Sequence, residues 1–114
     1  MDILSELHKR GIRLAVLANI NKTSLLANEE MGRPQRLKKV GVEAFIWSCE
    51  EGFKKPDPKI YEIALKRLNL PSEACVFVDD KKVNVEAAEK LGMHGIVFQS
   101  PDQLRKELIK LGLL

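Results

Sequence analysis

The sequence predicts an α/β domain: a parallel sheet of about four strands, covered by helices on both faces, in three layers. Three observations predict it. Short apolar runs at 12–18, 44–48, 74–78 and 95–98 read as strands, and segments of helical period separate them. Such alternation builds βαβ units with strands buried on both faces and right-handed crossovers. The 114 residues are 45% hydrophobic and 31% charged, which makes one domain with enough apolar material for a core.

Each element has its own signals. Ile3, Leu4 and Leu7 recur at helical spacing, and Gly11 ends that helix. Ile12 to Ala18 is the first strand. Asn19-Ile20-Asn21-Lys22-Thr23 is a polar turn with several possible N-caps. A helix from about Thr23 is interrupted before Pro34 and closed by Gly41. Ala44 to Ser48 is the second strand. Asp57 caps the next helix with Pro58 at its first position, where a missing N–H costs nothing. Ile60, Ala64 and Leu68 line one face of it. Ala74 to Val78 is the third strand. Val83, Ala87 and Leu91 mark one side of the following helix, which ends at Gly92. Gly95 to Phe98 is the fourth strand. Ser100-Pro101-Asp102-Gln103 is a capping-box arrangement opening the last helix.

Composition excludes several function classes. The net charge is +3, with lysines interspersed among acids, and six aromatic residues (four Phe, one Trp, one Tyr) offer no stacking platform for bases, so nucleic acid is not an expected partner. Nothing approaches the length of a membrane span, and the first residues have neither the basic start nor the apolar run of a signal peptide. Cys49 and Cys75 lie in apolar, strand-like surroundings without a CxxC, and read as buried thiols in a reducing cytoplasm.

Ligands of open parallel sheets bind beyond the carboxyl ends of the strands. The polar residues there are Asn19, Ser48, Asp79, Asp80 and Gln99. Asp79 and Asp80 end the apolar run Val76-Phe77-Val78. Two carboxylates at one tip repel, and a hard cation such as Mg²⁺ relieves that cost while sharing phosphate oxygens. The bland alternative makes Asp80 a helix cap and pairs Asp79 with a lysine. Lys55, held extended before Pro56, can reach the same crevice and neutralise a phosphoryl oxygen. Its neighbour Lys54 reads as a solvated lysine. Asn19 has two readings, a donor to a substrate oxygen or a cap of the next helix. His8 and His94 lack partners, Trp47 reads as core, and Ser24 has no setting that would make it a nucleophile.

Together, Gly52-Phe53-Lys54-Lys55-Pro56-Asp57-Pro58-Lys59-Ile60-Tyr61 and Val76-Phe77-Val78-Asp79-Asp80-Lys81-Lys82-Val83-Asn84-Val85-Glu86-Ala87-Ala88, followed by Leu91-Gly92-Met93, resemble motifs three and four of the haloacid dehalogenase-like (HAD) hydrolase superfamily, in its phosphatase and dehalogenase-type members. The resemblance implies a Rossmann-like fold. It implies that Asp79 and Asp80 bind Mg²⁺, that Lys55 holds the transferred phosphoryl group, and that Asn19 lines the phosphate pocket. The substrate would be a small phosphorylated or halogenated molecule.

Two departures limit the carry-over. The family's first motif, an Asp-x-Asp on the central strand, is absent, and Asp2 precedes a helix instead. The family's Ser or Thr at the end of motif two is replaced by Ala18, with Thr23 a turn later as a possible stand-in. Residues 1–114 are therefore expected to be one HAD-like core domain, incomplete on its N-terminal side and lacking the cap and the usual first strand. By resemblance that strand lies between those ending at Ala18 and Asp79. Their edges are expected to invite a homo-oligomer, such as a dimer, or a complementing N-terminal segment, unless the two strands close directly. The expected function is a hydrolase domain keeping the Mg²⁺ and phosphate half of the site but not catalytic alone. The competing reading is a non-catalytic, self-associating scaffold of the same fold.

Overall fold

The computed structural model describes residues 2–114. Helix α1 (Ile3–Lys9) begins where the Asp2 carboxylate accepts the Ser5 N–H at 2.9 Å. It leads into β1 (Leu14–Ala18), two residues shorter than the apolar run because Ile12 belongs to the turn. Helix α2 (Lys22–Glu30) is capped by Asn21, whose Oδ1 accepts the Ser24 N–H at 2.8 Å. Thr23 therefore lies inside the helix. The chain breaks at Gly32, in the left-handed region at φ 73°, and α3 (Arg33–Lys39) restarts with Pro34 in its first turn.

Strand β2 (Val42–Trp47) starts earlier than its apolar run, and Ser48–Glu51 turns into the one-turn helix α4. That turn puts Cys49 on the surface, which corrects the expectation of a buried thiol; Cys75 is half-buried, and both are free. Helix α5 (Pro58–Leu68) is capped by Asp57, which accepts the Lys59 N–H at 3.0 Å. A 3-10 turn at Ser72–Ala74 delays β3 to Val76–Asp79. Helix α6 (Lys82–Lys90) buries Asn84, Val85 and Ala88. Its core face is thus rotated from the one expected, leaving Val83 57% exposed. Strand β4 (His94–Val97) and helix α7 (Pro101–Lys110) complete the chain, α7 with the capping box of Ser100 and Gln103.

The α/β class and the parallel pairing are as expected. The four strands form two parallel pairs, β1 with β2 and β3 with β4, and among the described residues the pairs do not join. Two cores flank them. Leu7 of α1 and Leu108 of α7 pack with Leu14, Val42 and Ile96, and Ile60 and Tyr61 of α5 and Ala88 of α6 pack with Ile46 and Met93. Val42 and Ile46, four residues apart, would share a face of a regular strand. A register shift opposite Leu14 and Ala15 leaves Glu43 extra, and that bulge sends the two side chains to opposite cores. Arg13 pairs with Glu43 at 2.6 Å on the surface there.

Gly95 lets α6 approach β4. A Cβ there would lie 2.5 Å from Val85 Cγ1, a side chain that is itself buried. Gly95→Ala should destabilise the fold by about 1–3 kcal/mol through overpacking, read as a lower urea midpoint.

Candidate functional site

The carboxyl ends of β1 and β3 meet at one cleft of about 400 Å³. Asn19, Lys55, Asp79 and Asp80, the four residues singled out in the sequence, all line it, with Ala18, Lys81 and Asn84 beside them. Ser48 stands behind, joining the end of β2 to the loop after β1. Its Oγ accepts the Ile20 N–H at 2.8 Å and donates to the Ile20 carbonyl at 3.1 Å. Thr23 is exposed on α2 and does not line the cleft, so no hydroxyl stands in for Ala18 among the lining residues.

Asn19 does not cap the next helix, a place Asn21 takes. Its Nδ2 donates to the Lys55 carbonyl at 3.0 Å, and its Oδ1 accepts the Lys55 N–H at 2.8 Å. Both ends of one amide thus clamp one backbone residue and fix where the lysine side chain starts. The Lys55–Pro56 peptide bond is cis. Lys54 is exposed, as expected.

The Lys55 ammonium donates to Asp79 Oδ2 at 2.6 Å, with side-chain exposures of only 10% and 6%. Asp79 Oδ1 accepts the Lys81 N–H at 2.9 Å, and Asn84 Nδ2 lies 3.4 Å from Oδ2. Burial pushes the Asp79 carboxyl up; the hydrogen bonds from Lys55 and Lys81 and the Lys55 charge outweigh it, so the carboxyl sits below its ordinary value. Asp80 is exposed and caps nothing: α6 begins after Lys81 without a side-chain cap.

Behind the cleft, the Tyr61 hydroxyl donates to the Asn84 carbonyl at 2.7 Å in full burial. Burial first, and then the Asp79 charge, push the Tyr61 phenol up to about 12. Sequence patterning missed Asn84 because it lies off the apolar line of α6, and Tyr61 because it reads on α5 simply as core. His8 and His94 are exposed, and Trp47 is half-buried, stacked on Phe45 with centroids 5.3 Å apart.

The cleft offers three kinds of groups. Lys55 has N–H donors beyond the one given to Asp79. Asp80 is exposed on the cleft, and Asp79 keeps acceptor capacity on Oδ1. Among the described residues no cluster of three or more His, Cys, Asp or Glu could cage a metal. Two hard carboxylates suit Mg²⁺, which keeps several waters and binds through one or two carboxylates.

The family model for haloacid dehalogenase-like hydrolases matches residues 1–92. The chain belongs to that family. Acyl-CoA dehydrogenase family member 10 of Mus musculus is 35% identical over 105 residues, covering 92% of this chain and 9% of that protein. Flavin mononucleotide hydrolase 1 of Arabidopsis thaliana is 39% identical over 66 residues, 58% of this chain and 27% of that protein. A HAD family enzyme of Bacteroides thetaiotaomicron, solved with magnesium and inorganic phosphate, superposes with a TM-score of 0.76 at 20% identity, over 90% of this chain and 54% of that one. The chain thus spans between about a tenth and about half of these proteins. Among the described residues no helix of this HAD-like chain is long and apolar enough to cross a membrane.

Proposed function

We propose that the cleft is the Mg²⁺- and phosphate-holding part of a HAD-like phosphatase site. The observation that carries this reading is the Lys55–Asp79 contact at 2.6 Å, buried at a strand end beside the exposed carboxylate of Asp80. A buried ion pair next to an exposed carboxylate suits a dianion and a hard cation held together. The similarity to a flavin mononucleotide hydrolase, at 39% identity, favours a phosphorylated over a halogenated substrate.

Each residue has a part. Asn19 fixes the Lys55 backbone, so the ammonium enters the cleft from one direction. Lys55 donates to a phosphoryl oxygen while its contact with Asp79 holds it in place. Asp79 and Asp80 would hold Mg²⁺, which when bound neutralises phosphoryl charge. Asn84 steadies Asp79 from behind. Among the described residues that line the cleft, no hydroxyl, thiol or third carboxylate is placed to accept a phosphoryl group. The group that attacks phosphorus is therefore assigned to a residue outside this lining, and the chain by itself is assigned binding without efficient turnover. The same missing acceptor favours the second reading, a module of HAD-like fold that holds phosphate without transferring it.

Mg²⁺ at ten times its Kd should stabilise the chain by about 1.4 kcal/mol, a rise in Tm of about 5 °C. Asp80→Ala should leave the metal-free Tm near that of the parent and remove the rise. A Tm indifferent to Mg²⁺ would sink the metal assignment. Hydrolysis of an aryl phosphate with Mg²⁺, run beside Asp79→Ala, separates the two readings. Turnover above the variant would show that the lining suffices for catalysis and overturn the assignment of binding alone.

A further inference from the structure

Five residues close a circuit that begins and ends at the Lys55 ammonium. The ammonium donates to Asp79 Oδ2 at 2.6 Å, and Asn84 Nδ2 lies 3.4 Å from that same oxygen. The Asn84 carbonyl accepts the Tyr61 hydroxyl at 2.7 Å. Tyr61 meets the Phe77 ring edge-on, with centroids 5.2 Å apart. The Lys55 ammonium in turn stands over the Phe77 ring, 5.8 Å from its centroid. Phe77 and Asp79 are two residues apart on β3, so their side chains share one face of that strand. The ammonium thus meets two groups of one strand, a carboxylate and an aromatic face.

An aromatic face attracts a cation within about 6 Å of its centroid, weakly in water and more strongly where the pair is desolvated. Lys38 over Phe45 and Lys59 over Phe53 repeat the contact at 5.9 and 5.0 Å, but both of those lysines are exposed. The Lys55 side chain is only 10% exposed, so here the ring face counts. The two supports of this ammonium differ in what else they can hold. Among the described residues Asp79 is its one hydrogen-bond partner, and the same carboxylate is the one assigned to Mg²⁺. A carboxylate shared with a divalent cation holds an ammonium less firmly, because the two cations repel. Phe77 has no such second demand, and Tyr61 and the buried cluster around Ile60 keep its ring in place. We propose that Phe77 is a positioning residue of the cleft, whose ring face keeps the Lys55 ammonium at the phosphate when Asp79 turns to Mg²⁺. This role rests on the cleft being a site for phosphate. Without metal the carboxylate fixes the ammonium by itself, so the ring matters in the Mg²⁺-loaded state.

The test replaces Phe77, alone among the four phenylalanines of the whole chain, by phenylalanines whose rings carry one, two or three fluorines. Fluorine withdraws the negative charge of the ring face and nearly keeps the ring's shape. With Mg²⁺ saturating, the affinity for inorganic phosphate should fall in steps, reaching about a fivefold loss with three fluorines. Without Mg²⁺ it should stay level across the series. The affinity for Mg²⁺ alone and the urea midpoint, which a merely structural ring would move, should stay level too. Phe77→Leu keeps an apolar side chain without an aromatic face and should bind phosphate no better than the most fluorinated chain. In the parent, the Lys55 ε-methylene protons should resonate upfield of their place in Phe77→Leu. Phosphate affinity that ignores fluorination overturns the proposal, and so does a loss that Mg²⁺ affinity shares in full. A parent chain that binds no phosphate in Mg²⁺ overturns the assignment of the cleft and this role with it. Phosphate binding that is present in the parent and equal across the series overturns this role alone.

Discussion

Lys55→Met should cost the fold roughly 3–5 kcal/mol, because it strands the Asp79 carboxylate in a site where the side chain is only 6% exposed. Urea unfolding at pH 7 measures it. The pH dependence gives the loss a signature that a packing defect would lack. In the parent chain the Asp79 carboxyl sits below its unfolded value of 3.8, so its contribution is complete above that value and is lost as pH falls through the lower, folded pKa. Remove Lys55 and burial, which raises the carboxyl, has its chief opponents taken away. The folded pKa then rises, so the variant should lose less stability than the parent as pH falls through the parent's folded value. Parallel profiles for the two proteins would show that the pair is not buried as described. Lys55→Met/Asp79→Leu should be more stable than Lys55→Met, since an apolar pair leaves no charge uncompensated. Phosphate binding should vanish in both, which separates what the pair does for the fold from what it does for the ligand.

Much of this was legible because strand-end chemistry is local. Asp79 and Asp80 close an apolar run, and Asp57 and Pro58 announce a helix start just after Lys55, so the sequence alone brings three charged groups toward one edge. Asn19 was legible as a residue of that edge but not as the clamp on Lys55, since its partner is the backbone of a residue 36 positions away. The helix faces were less readable. Val83, Ala87 and Leu91 form an apolar line on α6, yet Asn84 is buried, because its side chain reaches Asp79 and its carbonyl takes the Tyr61 hydroxyl. A polar residue enters a core when its partners are there, and periodicity carries no record of partners. The Glu43 bulge was equally silent. Nothing in Val42-Glu43-Ala44 announces an extra residue, though it decides which core receives Val42 and which Ile46.

Tyr61 should carry the second large effect. Its ring is 0% exposed and meets Phe77 edge-on at 5.2 Å, so Tyr61→Ala should cost about 3–5 kcal/mol. Tyr61→Phe keeps the ring and isolates the hydroxyl. It removes the second donor to the Asn84 carbonyl, which keeps its helical partner in α6, for about 0.5–1.5 kcal/mol. The alkaline limb tells the hydroxyl from the ring. The phenol's pKa is pushed up to about 12 from an ordinary 10.0, so the folded state holds this proton more tightly than the unfolded chain does. Its stabilisation is whole below pH 10 and is lost as pH rises toward 12. Tyr61→Phe has no proton to lose, so the gap between parent and variant should narrow across that window. Lysines that titrate there do so in both proteins and cancel in the difference. A gap that stays constant to pH 12 would mean that the hydroxyl reaches water. The link from α5 through Asn84 to Asp79 would then have no hold on the site.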